Sequence, residues 1–135
     1  MYNLQCTMST NSKKVFCLMK NNIIADKSKF FAIRIIRLYK YLQSEKQEYY
    51  LSKQIVRSGT SIGANIREAI ISFSNADFVY KMNTALKESF ETEYWLELLH
   101  ETDYISDTEF NSIYKDCNEL AKLLTAIVKT SKTKK

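Results

Sequence analysis

The chain has 135 residues and a mass of 15.8 kDa, which fits a single domain. It contains no proline and only two glycines, and this composition excludes most all-β folds, whose turns depend on those two residue types. Charged residues make up 26% and hydrophobic residues 45% of the chain, which is typical of a packed globular protein, and the net charge is +5. With so few turn residues, the expected fold class is all-α.

The cysteines and the apolar runs indicate the compartment. Cys6, Cys17 and Cys117 form no C-x-x-C pair and are odd in number, which favours a reducing compartment over a disulfide framework. No apolar run approaches the roughly 20 residues that a membrane-spanning helix needs. We therefore expect a cytoplasmic protein that has no membrane partner.

The positive charge belongs to the two ends of the chain. Residues 1–28 carry +3 and residues 129–135 carry +4, whereas residues 29–128 carry −2. That central part is itself divided into +5 over residues 29–71 and −7 over residues 72–128. Such asymmetry fits complementary contacts, within one chain or between copies, and it also fits a basic half that contacts phosphate.

The chain divides into three regions. Residues 1–18 show no hydrophobic period and are predicted to be a disordered extension, with Met19 as a candidate start of the protein. Residues 19–130 are predicted to form the folded domain, and residues 131–135 a lysine-rich tail.

Four segments of the domain have apolar residues at helical spacing, and they cover residues 28–44, 48–72, 75–102 and 106–129. Ser28 is the candidate N-cap of the first helix, and Ser74 or Asn75 that of the third. Ser106 and Glu109 have the spacing of a capping box at the start of the fourth. Because the connections are short, the sequence predicts an antiparallel up-down four-helix bundle.

Gly59-Thr60-Ser61-Ile62-Gly63 matches the string G-x-S-x-G of hydrolase nucleophiles. That motif needs a strand before the serine, whereas the residues before Gly59 have a helical period. A structural interpretation is favoured, since a glycine within a helix costs about 1 kcal/mol relative to alanine. Gly59 and Gly63 therefore predict either a close approach of another backbone or a bend in the helix.

Glu97 and His100 form an E-x-x-H sequence, which is half of a di-iron motif. A di-iron site needs two such motifs and two further glutamates, and the chain has only one histidine. The favoured interpretation is a surface glutamate and a histidine near a helix C-terminus. We expect no metal, no cofactor, no small-molecule substrate and no catalytic residue, so the protein is predicted not to be an enzyme.

Basic residues on the first helix alternate with apolar and aromatic ones, a pattern that suits nucleic acid because cations contact phosphates and rings stack on bases. The alternative is a solvated face whose long side chains cover apolar surface. The candidate nucleic-acid residues are Lys29, Arg34, Arg37 and Lys40, together with Lys129, Lys132, Lys134 and Lys135 near the C-terminus.

Helices two and three carry the candidate subunit interface. A polar stripe on the second helix favours a hydrogen-bonded network, with Arg57 donating to Glu88 or Glu91, although a plain exposed face is the alternative. On the third helix, a second apolar patch of Tyr80, Trp95, Leu98 and Leu99 favours a homo-oligomer. The predicted interface residues are Gln54, Arg57, Ser61, Asn65, Glu68, Glu88, Glu91, Tyr94 and Trp95.

Several of these segments resemble one bacterial family. They are Lys27-Ser28, Ser52-Lys53-Gln54, Arg57 to Ala69, Ala76-Asp77-Phe78, Lys87-Glu88, Glu91-Thr92 and Tyr94-Trp95-Leu96. Together they resemble the bacterial four-helix-bundle family of 23S rRNA intervening-sequence proteins, to which the accessory variability determinants of diversity-generating retroelements are similar. The resemblance covers about residues 20–130.

This resemblance implies a ring-like homopentamer of up-down four-helix bundles without a catalytic site. The expected function is that of a non-enzymatic, homo-oligomeric interaction or scaffold module. The alternative is an RNA-binding accessory protein that works with a reverse transcriptase, since the retroelement relatives bind nucleic acid and that enzyme.

Overall fold

The computed structural model describes the backbone of residues 10–132 and the side chains of residues 22–132. This part of the chain contains four α-helices and no strand; their bounds are α1 (Thr10–Glu45), α2 (Leu51–Ile70), α3 (Asn75–Glu101) and α4 (Asp107–Lys132). Helix α1 packs against α2 and α4, and α3 packs against the same two helices. The fold is therefore an all-helical four-helix bundle, as the sequence predicts.

The start of α1 differs from the prediction. The helix begins at Thr10 rather than at residue 28, so residues 10–18 of the extension predicted to be disordered are helical. No glycine or proline interrupts this segment, and once a helix has formed each further residue adds one backbone hydrogen bond. Residues 1–9 of the extension and residues 133–135 of the tail lie outside the described part.

The predicted N-caps of α3 and α4 are confirmed. Ser74 accepts a hydrogen bond from the backbone N–H of Asp77, and Ser106 and Glu109 cap each other's backbone N–H groups reciprocally. The prediction for Ser28 is wrong, because this residue is buried within α1 and its hydroxyl donates to the carbonyl of Ala25. The helix continues past it, so no free N–H group is left there to cap.

The start of α2 is capped by a residue that sequence reasoning missed. The buried carboxylate of Glu48 accepts hydrogen bonds from the backbone N–H groups of Tyr50, Leu51 and Ser52, at 3.1, 2.9 and 2.7 Å. Gln47, just before it, has a φ of 49°, which turns the chain between α1 and α2. A carboxylate at this position also suits the positive end of the helix dipole.

The core is made from the apolar stripes of all four helices. Its fully buried large side chains are Ile24, Phe31, Ile35, Leu42, Ile55, Ile62, Ile66, Met82, Leu96, Leu99, Leu120 and Leu124. A small polar layer lies among them, where the hydroxyls of Thr92 of α3 and Ser58 of α2 are hydrogen-bonded to each other at 2.8 Å. Both hydroxyls also bond to their own helix backbone, so the layer is buried without an unsatisfied oxygen.

Candidate interaction surfaces

The two glycines lie where α2 meets α1. A Cβ added to Gly59 would lie 2.8 Å from Cγ2 of Ile35, and one added to Gly63 would lie 3.2 Å from Oγ of Ser28. This close contact accounts for both glycines. It also leaves an outer groove of about 290 Å³ between the helices, lined by small residues and flanked by the cations of Lys29 and Arg67.

Arg57 joins α2 to α3 through two carboxylates. Its guanidinium donates to Glu88 at 3.4 Å and also contacts Glu91. The same Glu91 carboxylate accepts a hydrogen bond from the indole N–H of Trp95 at 2.9 Å. The acceptors that the sequence predicts for Arg57 are thus reached within one chain, and the network lies at the surface, with Arg57 half-exposed.

Most of the other residues of the polar stripe form hydrogen bonds either with the backbone of α2 or with α3. Ser61 donates to the carbonyl of Arg57, and Asn65 donates to the carbonyl of Ser61. Glu68 accepts a hydrogen bond from Lys81 of α3 at 2.7 Å, and this bond with its carboxylate raises the pKa of the lysine. Gln54 lies exposed at the start of the stripe.

A row of aromatic side chains on α3 faces away from the core. Tyr80, Phe90 and Tyr94 are 66%, 52% and 53% exposed, and we call these three residues the α3 aromatic row. Trp95 is only half-buried, and its ring lies 5.2 Å from that of Tyr94. The prediction that Leu99 belongs to an outer patch is wrong: it is fully buried, because it follows core residue Leu96 by three positions, about 60° away around the helix.

Helix α1 presents an outer face that mixes apolar and basic side chains. It includes the exposed apolar residues Phe30, Ile33 and Ile36 and the exposed cations Lys29, Arg37 and Lys40; we call these six residues the α1 outer face. None of the three cations makes an ion pair with another described residue.

Arg34 differs from the other candidate nucleic-acid residues of α1. It donates to Asp116 of α4 at 2.6 Å and to the hydroxyl of Ser112 at 3.0 Å. Since these bonds hold its guanidinium against α4, Arg34 serves the packing of the bundle rather than a free basic surface.

The connection between α2 and α3 carries two large apolar side chains that are exposed in the part of the chain that the structure describes. Ile71 is 76% exposed and Phe73 is 105% exposed. The C-terminal end of α4 lies beside this connection, because Asn75 donates to the carbonyl of Ser131 at 3.3 Å. The exposed lysines Lys129 and Lys132 are therefore at the same end of the bundle.

The residues of the E-x-x-H sequence have separate partners. Glu97 accepts a hydrogen bond from the hydroxyl of Tyr114, and this bond adds to burial in raising the pKa of Tyr114 to about 12. His100 lies 2.6 Å from Asp107 and stacks on Phe110. Within the described residues, no group of three or more His, Cys, Asp or Glu side chains is placed to hold a metal ion.

The G-x-S-x-G string lies wholly inside α2, without the strand that a hydrolase nucleophile would follow. Its Ser61 hydroxyl is bonded to the backbone of its own helix. The described part of the chain also contains no helix that is long and apolar enough to cross a membrane.

Comparison with known proteins assigns the family. A model of the 23S rRNA-intervening sequence protein family matches residues 20–126. The chain belongs to this family. A crystal structure of a protein of unknown function from the S23 ribosomal protein family of Bacteroides thetaiotaomicron VPI-5482 is 57% identical in sequence, with a TM-score of 0.80. The match covers 82% of this chain and 98% of that one, whereas no curated protein matches.

The surfaces of this member of the 23S rRNA-intervening sequence protein family were only partly predictable. The sequence indicates Arg57, its two acceptors and the exposed Tyr80 and Tyr94. It did not indicate that Phe90 is exposed, because a helix with apolar residues on two sides does not reveal which side its neighbours cover. It did not indicate the exposure of Phe73 either, which lies in the connection between α2 and α3.

Proposed function

We propose that the protein is a non-enzymatic interaction module whose copies assemble head to tail into a ring. The observation that carries this proposal is the presence of two exposed apolar surfaces on different sides of one bundle, the α3 aromatic row and the α1 outer face. Exposed apolar patches on a soluble protein often mark interaction sites, and aromatic residues are typical anchors of protein interfaces.

The charges of the two hairpins support a contact between unlike surfaces. The sequence from 29 to 71, which includes the α1 outer face, carries +5, and that from 72 to 128, which includes the α3 aromatic row, carries −7. Contact between the basic surface of one copy and the acidic surface of the next is heterologous, and it forms a closed ring when the rotation between copies closes. The subunit number that we propose is five, which the family resemblance implies.

We also propose that neighbouring helices run antiparallel. The pairs Arg57–Glu91 and Lys81–Glu68 support this direction, because the residue number falls along α3 as it rises along α2. The pairs Lys27–Glu119 and Arg34–Asp116 support the same relationship between α1 and α4. In such a bundle each copy would present α1 and α3 as long parallel ridges to its neighbours.

The test is the native mass measured by size-exclusion chromatography with light scattering. We expect a mass near five times 15.8 kDa for the wild type. The double variant Phe90→Ser with Tyr94→Ser should elute with the mass of a monomer, because it removes two anchors of the contact. A control, Tyr50→Ser, alters a still more exposed aromatic residue outside both surfaces and should keep the wild-type mass.

Two outcomes would overturn this proposal. A wild-type mass of 15.8 kDa at micromolar concentration would exclude self-assembly, and a double variant with the wild-type mass would exclude the α3 aromatic row as the contact. Alanine at Arg57 or Trp95 gives a second set of variants for the predicted interface, and we expect both to lower the mass.

A second candidate function is RNA binding, working with a reverse transcriptase as the partner. It is favoured by the unpaired cations Lys29, Arg37 and Lys40, and it predicts an affinity that falls steeply with salt. Arg37→Gln should weaken RNA binding, whereas Arg34→Gln, whose side chain is held by Asp116, should not. The two functions compete for the α1 outer face, so a ring that buries this face would leave no RNA site there.

A further inference from the structure

We propose that the α2–α3 connection and the last turn of α4, beside the first turns of α1, which extend past them from Thr10, form a contact surface for an anionic lipid bilayer. Ile71 and Phe73 would insert into the headgroup region, and Lys129 and Lys132 would contact lipid phosphates. We call these four residues the lipid-contact end.

The apolar part of this surface is small but fully available. Phe73 is as exposed as a side chain can be, and Ile71 is exposed by three quarters, although they are separated only by Ser72. Neither side chain contributes to the apolar core or its margin. Large apolar side chains at the tip of a connection, rather than on a helix face, are suited to shallow insertion at a membrane surface.

The exposed cations at this end outnumber the exposed carboxylate of Asp77 in the first turn of α3. The Asn75–Ser131 hydrogen bond fixes the C-terminal turn of α4 beside Ile71 and Phe73, which we call the apolar tip. This turn carries Lys129 and Lys132. Arg67, in the last turn of α2, adds a third exposed cation at the same end. The sequence continues with Lys134 and Lys135, which lie outside the described residues. Basic residues next to a bilayer of anionic lipid are attracted to its surface potential.

The opposite end of the bundle provides an internal contrast. It also exposes an aromatic residue, Tyr50, but a cavity of about 600 Å³ there is lined by Glu101, Asp103, Asp107 and Glu109. Lys46 also lines this cavity, so the acidic residues of its lining outnumber the lysine. An anionic bilayer would repel this acidic end, so the charge distribution selects one end of the bundle for the membrane.

A nucleic acid fits the lipid-contact end less well than a bilayer. Phe73 could stack on a base, but Ile71 has no ring and gains only from transfer to an apolar environment. The sequence-based expectation of no membrane partner rested on the lack of a spanning segment, and a peripheral contact does not require one.

The proposed ring would strengthen this contact, a point that rests on the proposed function. In any cyclic assembly, equivalent points of the subunits lie in one plane perpendicular to the axis. In a ring whose bundles stand parallel to that axis, all copies of the lipid-contact end would face one membrane together, so weak insertions would add into a tighter attachment.

The experiment is co-sedimentation of the full chain with vesicles of phosphatidylcholine alone or with added phosphatidylglycerol. We expect binding to the anionic vesicles and at least roughly tenfold less to the neutral ones, since lysines near an anionic surface strengthen attachment. Ile71→Ser with Phe73→Ser should abolish the binding, whereas the control Tyr50→Ser should bind like the wild type. Lys129→Gln and Lys132→Gln should each weaken binding by roughly fivefold.

A spectroscopic variant makes insertion directly visible. When the emission of the wild-type protein is subtracted, the added indole of Phe73→Trp should shift its fluorescence emission to the blue on addition of anionic vesicles, because this indole leaves water. An unshifted emission in the presence of bound vesicles would overturn the insertion of the tip.

Other results would overturn the proposal in ways that distinguish it from the ring. Failure of the wild type to bind anionic vesicles at low salt would exclude the lipid contact. Loss of binding to a single-stranded poly(U) probe, but not to vesicles, in the Ile71/Phe73 variant would assign the tip to nucleic acid. A reduced native mass of that variant would make the tip a subunit contact, whereas a monomeric wild type that still binds vesicles would overturn only the ring.

Discussion

Gly59 of α2 lies so close to Ile35 of α1 that a methyl group added to the glycine would come within 2.8 Å of the isoleucine Cγ2. Ile35 is fully buried and branched at Cβ, so it cannot swing away into solvent. The separation between α1 and α2 is therefore set by the absence of a side chain at one position.

Gly59→Ala should destabilise the fold. Alanine gains about 1 kcal/mol of helix propensity, but overpacking against Ile35 costs about 1–3 kcal/mol. Gly63→Ala is the matched comparison, since its added Cβ would come no closer to Ser28 than the 3.2 Å that separates it from the hydroxyl. Urea unfolding should give a lower midpoint for Gly59→Ala than for Gly63→Ala; the reverse order would show that α1 moves to accommodate the methyl group.

Glu48→Ala should destabilise the protein by about 1–2 kcal/mol, because three backbone N–H groups at the start of α2 lose their shared acceptor. Glu45→Ala is the control, since this residue is exposed at the end of α1. The free energies of unfolding should be compared by urea titration. Equal stability of the two variants would mean that water replaces the carboxylate as the cap.

Tyr114 gives a prediction at high pH. Burial, and then the hydrogen bond to Glu97, raise its pKa to about 12 from a reference near 10. The folded state therefore keeps a proton that the unfolded state has lost, so this contribution is complete below pH 10 and is lost as the pH rises towards 12.

Tyr114→Phe isolates that contribution. Near neutral pH the variant should be less stable by about 1 kcal/mol, since one hydrogen bond is lost. Between pH 10 and 12 the difference from the wild type should narrow. Tyr50→Phe, at an exposed position, corrects for titration elsewhere, and a difference that stays constant with pH would contradict the assignment.

Cys117 should be unreactive while the protein is folded. The side chain is fully buried, and burial raises the pKa of its thiol, so little thiolate is available to an alkylating reagent. In a Cys6→Ser, Cys17→Ser background, iodoacetamide should modify Cys117 at least about a hundredfold more slowly in buffer than in urea. Comparable rates would show that α4 opens readily.

The helices themselves were largely predictable from the sequence, because the residues that form the core of a bundle recur at helical spacing along each helix. The stripes through Ile35, Ile62 and Leu120 are buried, and the caps at Ser74 and Ser106 are formed. The prediction failed at the start of α1, because residues 10–18 are helical although their apolar residues show no helical period.

The surfaces were less predictable, because exposure depends on how the helices are arranged around one another. Glu88 and Glu91 were predicted as candidate acceptors for Arg57, and both contact it. Arg34 looked like part of a basic face, but its partners are on α4, which is 78 and 82 residues further along the chain. Long-range partners of this kind follow from the packing and not from the local sequence pattern.

The chain has a single tryptophan, and the fold places it at the edge of the α2–α3 contact. The indole of Trp95 donates a hydrogen bond to Glu91, and Glu91 also contacts Arg57 of α2. The indole is therefore bonded directly to the carboxylate that joins the two helices. Because no second indole contributes emission, the intrinsic fluorescence of the unlabelled protein is a local optical probe. It would report separation of α2 from α3 independently of events at α1 or α4.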